Sequence, residues 1–439
     1  MAAAAALLLA LGLLPGADGR CFFNRTREWC VCYNLSQDSV GSAVQCLAAT
    51  AVEFRGGDLQ KYAAFPMEEP DPSTIDMLGT LLVGKITFAE LQVPLELLSR
   101  VLRFFSYTRV REVAFDSCVF QGKGDWAAMA GRSLPVRVLS FHNVTGTTPG
   151  WERDLPGLGT WLRALQNLSV TASGLTRLPC GVGRLLQALR SLDLAHNALG
   201  DEGLRDTVCA GAFPGLRALA LRHNQLTCYG GVCESVRPLQ ELLQLDLSHN
   251  RLGEGAASSC SGPVASSCQW PVALRVFNLS HAGLERVPQP LPPALEVLDM
   301  SHNLLHAVDV SLGSLKQLVL SHNALSAAPS LGGCPALDTL LLDNNSVAEL
   351  PWDELRRLRL LSAAGNPFNC SCRGAGGLQA LAAAGLLGPG WPEGYTCGSP
   401  VRYRGCPVQD VPVSVLRCHR AAVIGALCAV LVLLGVAVA

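Results

Sequence analysis

The side chains of this chain that could support catalysis or hold a metal are mostly histidines that recur beside asparagine. They are His196, His223, His249, His302 and His322. Imidazoles in such numbers could ligate a metal, and a serine beside a histidine, as in Ser248-His249, Ser301-His302 and Ser321-His322, could suggest a nucleophile with its base. Each histidine, however, precedes the asparagine of a repeated pattern, where the chain leaves a strand and faces outward. Because the repeat explains them, the sequence predicts no enzyme, no metal site and no cofactor.

That repeated pattern is the clearest feature of the sequence. Its spacing is L-x-x-L-x-L-x-x-N-x-L, that of the leucine-rich repeat. The copies contain Asn197, Asn224, Asn250, Asn303, Asn323, Asn345 and Asn366. Each copy supplies a short strand with its apolar side chains inward, and its asparagine bonds to buried backbone groups at the turn after the strand. We expect an α/β fold, a solenoid bent into a horseshoe with a concave parallel β-sheet and disulfide caps at both ends.

The N-terminal half keeps this spacing but replaces leucine with aromatic and β-branched residues, as in Val110, Val113, Phe115 and Phe120. Cys118 occupies the asparagine position there, so we expect a buried thiol. Repeat length also varies, from 27 residues between Asn197 and Asn224 to 20 between Asn303 and Asn323. Longer repeats have room for a helix, and residues 94–105 have helical spacing.

Eighteen cysteines indicate an oxidising, extracellular setting. Four of them crowd the N-terminus, where three connectivities exist and the one we prefer joins Cys21 to Cys32 and Cys30 to Cys46. The remaining expected bridges are Cys180–Cys209, Cys233–Cys268, Cys228–Cys260, Cys370–Cys397 and Cys372–Cys418. Cys334 is expected in the core, and Cys406 has no obvious partner.

The chain divides by composition into five segments. Residues 1–19 are a predicted signal peptide, 20–60 an N-terminal cysteine cap with the first strand, 61–365 the repeats, 366–418 a C-terminal cap and 421–439 a hydrophobic membrane-attachment segment. In a secreted chain the Asn-x-Ser/Thr sites are candidate glycosylation sites. They are Asn24, Asn34, Asn143, Asn167, Asn278, Asn344 and Asn369.

The apolar tail, Ala421–Ala439, has two interpretations. It resembles the signal for a glycosylphosphatidylinositol anchor, since no basic residue follows it. Cleavage near residues 408–414 would however remove Cys418 and its bridge, which favours a single transmembrane helix. Both alternatives place the protein at the extracellular face of the cell membrane, with a secreted form also open.

Further motifs resemble one family. Cys30–Cys32, Phe54–Leu59, Gln92–Leu98, Val101–Tyr107, Gly231–Cys233, Cys268–Trp270 and Phe277–Pro288 are similar to segments of the monocyte differentiation antigen family, the myeloid co-receptors for bacterial lipopolysaccharide. The resemblance covers roughly residues 21–330, and the cap from Cys370 to Cys418 departs from it. It implies an apolar N-terminal pocket for lipid chains. It also implies lipopolysaccharide-binding protein and a Toll-like receptor complex as partners, and leaves a homodimer open.

The residues themselves support such a pocket. More apolar side chains fall near the N-terminal cap than a thin solenoid edge needs, and lipid sites are mostly apolar. The predicted pocket residues are Val52, Phe54, Leu59, Tyr62, Phe65, Leu78, Leu82, Ile86, Phe88, Leu91, Val93, Leu98, Val101, Leu102 and Phe105. For any one of them, a place in the ordinary repeat core is the simpler interpretation.

The predicted function is therefore a cell-surface receptor that binds bacterial lipopolysaccharide and related lipids and passes them to a Toll-like receptor complex. The alternative is an adhesion or scaffold receptor that binds a protein on the concave face, near Arg222 and Gln244. With a net charge of −1 and 16% charged residues, the chain is not expected to bind nucleic acid.

Overall fold

The structure is a computed structural model that describes residues 20–34, 42, 44–59, 71–124, 134–146, 162–252, 268–413 and 424–425. It divides into two compact units. Unit 1 comprises Met1–Asn250 with Ala257–Leu274, and unit 2 comprises Arg251–Ala256 with Arg275–Ala439.

Unit 1 is built on a parallel sheet that starts from an antiparallel pair, β1 (Arg20–Asn24) and β2 (Trp29–Tyr33). From β3 onward each strand pairs in parallel with the one before it, or with the strand before that where a repeat contributes two. The strands are β3 (Ala51–Asp58), β4 (Lys85–Pro94), β5 (Glu112–Asp116), β6 (Val119–Gln121), β7 (Val138–His142), β8 (Thr145–Gly146), β9 (Asn167–Thr171), β10 (Ser191–Asp193), β11 (Ala218–Ala220) and β12 (Gln244–Asp246).

Unit 2 continues the same design with shorter repeats. Its parallel sheet consists of β13 (Val276–Asn278), β14 (Val297–Asp299), β15 (Gln317–Val319), β16 (Thr339–Leu341) and β17 (Leu360–Ser362). A separate parallel pair, β18 (Pro367–Asn369) and β19 (Thr396–Ser399), lies in the C-terminal cap. The leucine-rich repeat fold expected from the sequence is confirmed.

Strand register explains why leucine recurs at the middle position of the short strands. In each three-residue strand the middle side chain points inward and is buried, as for Leu192, Leu219 and Leu245, which are paired with one another in register. The flanking residues point away from the core, because side chains alternate along a strand. The outward face of each sheet is therefore formed by the first and third residues of its strands.

The asparagine of the repeat satisfies the buried backbone at the turn. Asn250 is 2% exposed, and its Oδ1 accepts from the Leu226 amide of the preceding repeat at 3.0 Å. Its Nδ2 donates to the carbonyl of Leu221 in that repeat and to the carbonyls of Leu247 and Ser248 in its own, at 2.9 to 3.3 Å. The bonding role expected for the repeat asparagines is confirmed.

Cys118 takes over part of this role in the N-terminal half. Its buried thiol donates to the carbonyl oxygen of Phe88 at 3.3 Å and to that of Asp116 at 3.5 Å. Burial raises the pKa of this thiol, so it remains a neutral donor. Cys118, Cys334 and Cys406 are unbridged, and the first two are buried.

Helices occupy the longer return segments between strands. In unit 1 they are α1 (Pro72–Thr80), α2 (Leu95–Phe105), α3 (Cys180–Leu185), α4 (Asp201–Thr207) and α5 (Tyr229–Val236). Unit 2 contains α6 (Trp352–Leu355) and α7 (Cys372–Ala383). The return segments of residues 303–345 are made of bends, turns and irregular backbone. Among the described residues, the 3₁₀ segments Val44–Ala48, Val401–Tyr403 and Val408–Asp410 lie in the two caps.

Disulfide bonds lie at both ends and in the longer repeats. The structure joins Cys21 to Cys32, Cys30 to Cys46, Cys180 to Cys209, Cys233 to Cys268 and Cys370 to Cys397, the pairs that the sequence predicts. Cys228 and Cys372 are also disulfide-bonded. Their expected partners, Cys260 and Cys418, lie outside the described residues.

Two predicted segments fall almost wholly outside the described residues, the signal peptide of residues 1–19 and the tail of residues 421–439, of which 424–425 are described. Among the helices that the structure does describe, none has the length and apolarity needed to span a membrane.

Candidate functional site

The predicted pocket residues of unit 1 fall into three groups. Most are buried, namely Val52, Leu59, Ile86, Phe88, Leu91, Val93, Leu98, Leu102 and Phe105. Four keep accessible surface, namely Phe54, Leu78, Leu82 and Val101. Tyr62 and Phe65 lie outside the described residues.

The buried group packs as repeat core because of strand register. Val52 of β3 lies opposite Ile86 of β4, which lies opposite Val113 of β5. Two residues further along each strand, phenylalanine occupies the corresponding inward position in four successive repeats. The rings of Phe54, Phe88, Phe115 and Phe141 stack with centroids 5.6, 5.1 and 5.2 Å apart. We call these four side chains the phenylalanine stack.

The accessible group lies around α1. Asp71 caps this helix, since its Oδ1 accepts from the Thr74 amide at 2.7 Å, and the helix buries none of its own side chains. Met77 is 54% exposed and Leu82, just beyond the helix, is 61% exposed. Ile75, Leu78 and Leu81 are half-buried. We call these five residues the α1 apolar edge.

The α1 apolar edge lies beside the end of the amphipathic helix α2. A Cβ atom built on Gly79 would stand 3.9 Å from the carbonyl oxygen of Tyr107, two residues past α2. Helix α2 buries Leu98, Leu102 and Phe105 toward the core and leaves Val101 half-buried. An apolar surface of several large side chains therefore remains open at this end of unit 1, and exposed apolar patches mark binding sites.

The apolar cluster indicated by the sequence includes Leu81 beside Leu78 and Leu82, but not Ile75 and Met77. A signal for Ile75 was present, because Ile75, Leu78 and Leu82 follow one another at spacings of three and four residues, the period of one helix face.

Cations of the N-terminal repeats are partly paired. Arg55 binds Glu53 at 2.7 Å and Glu90 at 3.1 Å, and Arg100 pairs with Glu96 one helical turn away. The hydrogen bond that Arg55 donates to the Glu53 carboxylate raises the pKa of Arg55, so its charge is permanent. Arg109 and Arg111 are exposed to solvent.

The recurring histidines occupy one repeated backbone position. His196, His223, His249, His281, His302 and His322 all have positive φ, between 53° and 59°. Their rings stack in two columns of three, with centroids 3.9 to 4.2 Å apart in unit 1 and 4.1 Å apart in unit 2. Each ring faces outward where its strand ends, as the repeat predicts.

The middle ring of the unit 2 column is expected to resist protonation. Burial, followed by the charges of His281 and His322, lowers the pKa of His302, while Asp299 acts in the opposite direction. The unfolded chain then binds a proton more readily than the folded chain. This contribution to stability is therefore complete above the ordinary histidine pKa and is lost as pH falls toward the lowered value.

We expect His281→Gln/His322→Gln to raise the pKa of His302 toward its ordinary value, as measured by NMR titration of the imidazole. His306→Gln, which removes an exposed histidine outside the column, should leave it unchanged. An equal response to both changes would contradict the stacking origin of the shift.

The predicted glycosylation sites differ in exposure. Asn24, Asn143, Asn167 and Asn344 are exposed, whereas Asn34, Asn278 and Asn369 are half-buried. The Nδ2 of Asn369 also donates to Glu349 at 2.8 Å. Their glycosylation remains a prediction.

Comparison with known proteins finds similarity to leucine-rich repeat proteins. A leucine-rich repeat family model matches residues 186–206. Toll-like receptor 2 of Equus caballus is 30% identical over 390 residues, 87% of this chain and 48% of the receptor. Toll-like receptor 2 of Capra hircus is 32% identical over 371 residues, 80% of this chain and 45% of the receptor. The chain thus spans about half the length of the curated relatives it matches.

Among solved structures, the mouse RP105/MD-1 complex shares the fold, with a TM-score of 0.55 and 18% identity over 83% of this chain and 63% of that chain. Together with the disulfide bonds, the receptor homology indicates an extracellular or cell-surface protein.

Proposed function

We propose that this chain, a leucine-rich repeat protein homologous to Toll-like receptor 2, is a non-enzymatic lipid-binding receptor of innate immunity. Its ligand would be bacterial lipopolysaccharide or a related lipid, and it would pass that lipid to a Toll-like receptor complex, as members of the monocyte differentiation antigen family do. Lipopolysaccharide-binding protein is the proposed donor of the lipid.

The observation that carries this proposal is the α1 apolar edge. The predicted pocket residues inside the sheet already pack against one another, so a lipid would contact the side chains that keep surface. Those side chains are Phe54, Val101 and the five residues of the α1 apolar edge. Each methylene removed from water contributes about 0.8 kcal/mol, so six methylenes of one acyl chain would supply about 5 kcal/mol.

The fold explains how such an edge persists in a stable protein. The phenylalanine stack and the inward residues of α2 form the core, and no side chain of α1 is fully buried against them. Helix α1 can therefore meet a ligand without loss of repeat packing.

We expect Leu78→Asp/Leu82→Asp to weaken binding of fluorescent lipopolysaccharide by at least about 10-fold, because each substitution places a charge against the acyl chain. Binding would be measured on cells that display the full chain. The matched control is Leu304→Asp/Val401→Asp, which changes two exposed apolar side chains of unit 2, 55% and 81% exposed, and the charge by the same amount.

Equal lipid binding by the two double variants would refute the lipid site. If instead Arg222→Glu/Gln244→Glu abolishes ligand capture while Leu78→Asp/Leu82→Asp does not, the protein is a scaffold receptor that binds on the outward face of the sheet, where both of these side chains are exposed.

A further inference from the structure

A row of exposed arginines runs across the start of the strands in unit 1. Arg111, Arg137, Arg190 and Arg217 each stand directly before a strand, and Gln166 occupies the same position before β9. The four arginines are exposed. We call these five residues the arginine row.

Backbone hydrogen bonds fix the order of the arginine row. The amide of Arg137 donates to the carbonyl of Arg111 at 2.7 Å, and Gln166 donates to Arg137 at 2.8 Å. Arg190 in turn donates to Gln166 at 2.7 Å, and Arg217 donates to Arg190 at 2.8 Å. Adjacent strands lie about 4.8 Å apart, so the row extends about 19 Å in a line perpendicular to the strands.

No carboxylate of the described residues neutralises these four arginines. Within the ranges that the structure describes, no acidic side chain lies at ion-pair distance from their guanidinium groups. Other cations on this sheet are neutralised, for example Lys85 by Glu112, and Arg222 reaches Asp193 at 3.9 Å.

In unit 2 the residues directly before the strands have a different charge pattern. There the residues before successive strands are Arg275, Glu296, Lys316, Asp338 and Arg359, which alternate in charge. Glu296 binds Lys316 at 2.7 Å and Arg275 at 3.8 Å. Like charges on neighbouring strands destabilise a sheet whereas opposite charges stabilise it, so the arginine row does not contribute to folding.

The surroundings of the row indicate which anion it suits. The strand residues that follow it are Glu112, Val138, Asn167, Ser191 and Ala218, without an aromatic ring. Proteins that hold single-stranded nucleic acid combine cations with aromatic side chains on which bases stack, and that platform is missing here. A polymer that offers only anionic groups along one line fits better. Sulfate groups suit arginine, whose planar fork binds oxyanions through two hydrogen bonds.

We infer that the arginine row binds the sulfate groups of a linear sulfated polysaccharide of the glycosaminoglycan type. This surface is separate from the α1 apolar edge and goes beyond the proposed lipid function. It would hold the receptor to the carbohydrate layer of a cell surface whether or not lipid is bound.

The test measures affinity of the purified full chain for an immobilised heparin dodecasaccharide by surface plasmon resonance. All variants carry Asn167→Gln, so that a glycan beside Gln166 does not cover the row. We expect Arg137→Gln/Arg190→Gln to weaken binding by about 10-fold or more and to lower the slope of log affinity against log salt by about two. Arg137→Lys/Arg190→Lys keeps the charge and should retain most of the affinity.

The control is Arg177→Gln/Arg205→Gln, which removes the same net charge from exposed arginines in other segments of unit 1. Equal weakening by the control would show that net charge alone attracts heparin and would overturn the proposal. Equal binding of chemically desulfated heparin would also overturn it. So would tighter binding of a single-stranded oligonucleotide through the same arginines, which would identify a nucleic-acid site instead.

Discussion

Replacement of Phe115 by alanine is expected to lower the free energy of unfolding of unit 1 by about 4 kcal/mol, close to the largest cost of a single core truncation. Phe115 is almost fully buried at the centre of the phenylalanine stack, between Phe88 and Phe141, and Phe120 meets its ring edge-on at 5.4 Å. The alanine variant loses the buried area, leaves a cavity and removes three aromatic contacts at once.

Chemical denaturation followed by tryptophan fluorescence and circular dichroism would measure this loss. Two controls bracket it. Phe115→Leu refills most of the space and should cost less than about 1.5 kcal/mol. Phe22→Ala removes an exposed ring and should cost less than about 0.5 kcal/mol. If Phe115→Ala were no more harmful than Phe22→Ala, the stack would not be a structural core.

Replacement of Asn250 by alanine is expected to cost about 3 kcal/mol. The amide of Asn250 takes part in four hydrogen bonds to buried backbone groups, and alanine leaves those groups without a partner. Its neighbour provides the control. His249 is exposed and has positive φ, a conformation that asparagine tolerates, so His249→Asn should change the free energy of unfolding by less than about 0.5 kcal/mol.

The same denaturation measurement compares the two variants. A similar loss at both positions would mean that the turn conformation, rather than the buried amide, controls stability. Because each repeat contacts only its neighbours, the effect should be largest in hydrogen exchange of the repeats on either side of Asn250.

Much of the fold could be predicted because the repeat ties each residue type to one physical role. Leucine spacing predicted the inward strand positions, and the asparagines predicted the turns. Repeat length predicted that the longer return segments have room for a helix, but not the helix α6 of the short repeat between Asn345 and Asn366. The pattern also explained the histidines, although their stacking into columns depends on the positive φ that places each ring above the next. The burial of the Cys118 thiol was also predicted, from its place at the asparagine position.

The two compact units differ from the single array of repeats that the sequence predicts over residues 61–365. A signal existed at Ala282, which stands where the repeat calls for asparagine. Alanine has no amide to donate, and 32 residues separate this position from Asn250. Asn303 supplies part of the missing bonding from the next repeat, because its Oδ1 accepts from the amides of Ala282 and Leu284.

The candidate site was the least predictable part. Alternation along strands shows which side chains point inward, and it placed Val52, Ile86 and Phe88 in an apolar cluster correctly. It does not show whether a neighbouring element covers a given face. Whether Leu78 and Leu82 keep their surface depends on how α1 rests against the end of α2, a tertiary arrangement that local spacing does not encode.

Each repeat asparagine bonds to backbone groups of the preceding repeat, and this affects how the array folds during synthesis. Asn250 completes bonds for Leu226 and Leu221, which leave the ribosome 24 and 29 residues before it. At about 5 to 20 residues per second, those buried groups wait seconds for their partner. Each newly synthesised repeat therefore keeps unsatisfied backbone groups until the next repeat has been synthesised. Folding of the array lags translation by one repeat. A chain truncated inside the array would end in a repeat with unsatisfied backbone polar groups, wherever the truncation falls.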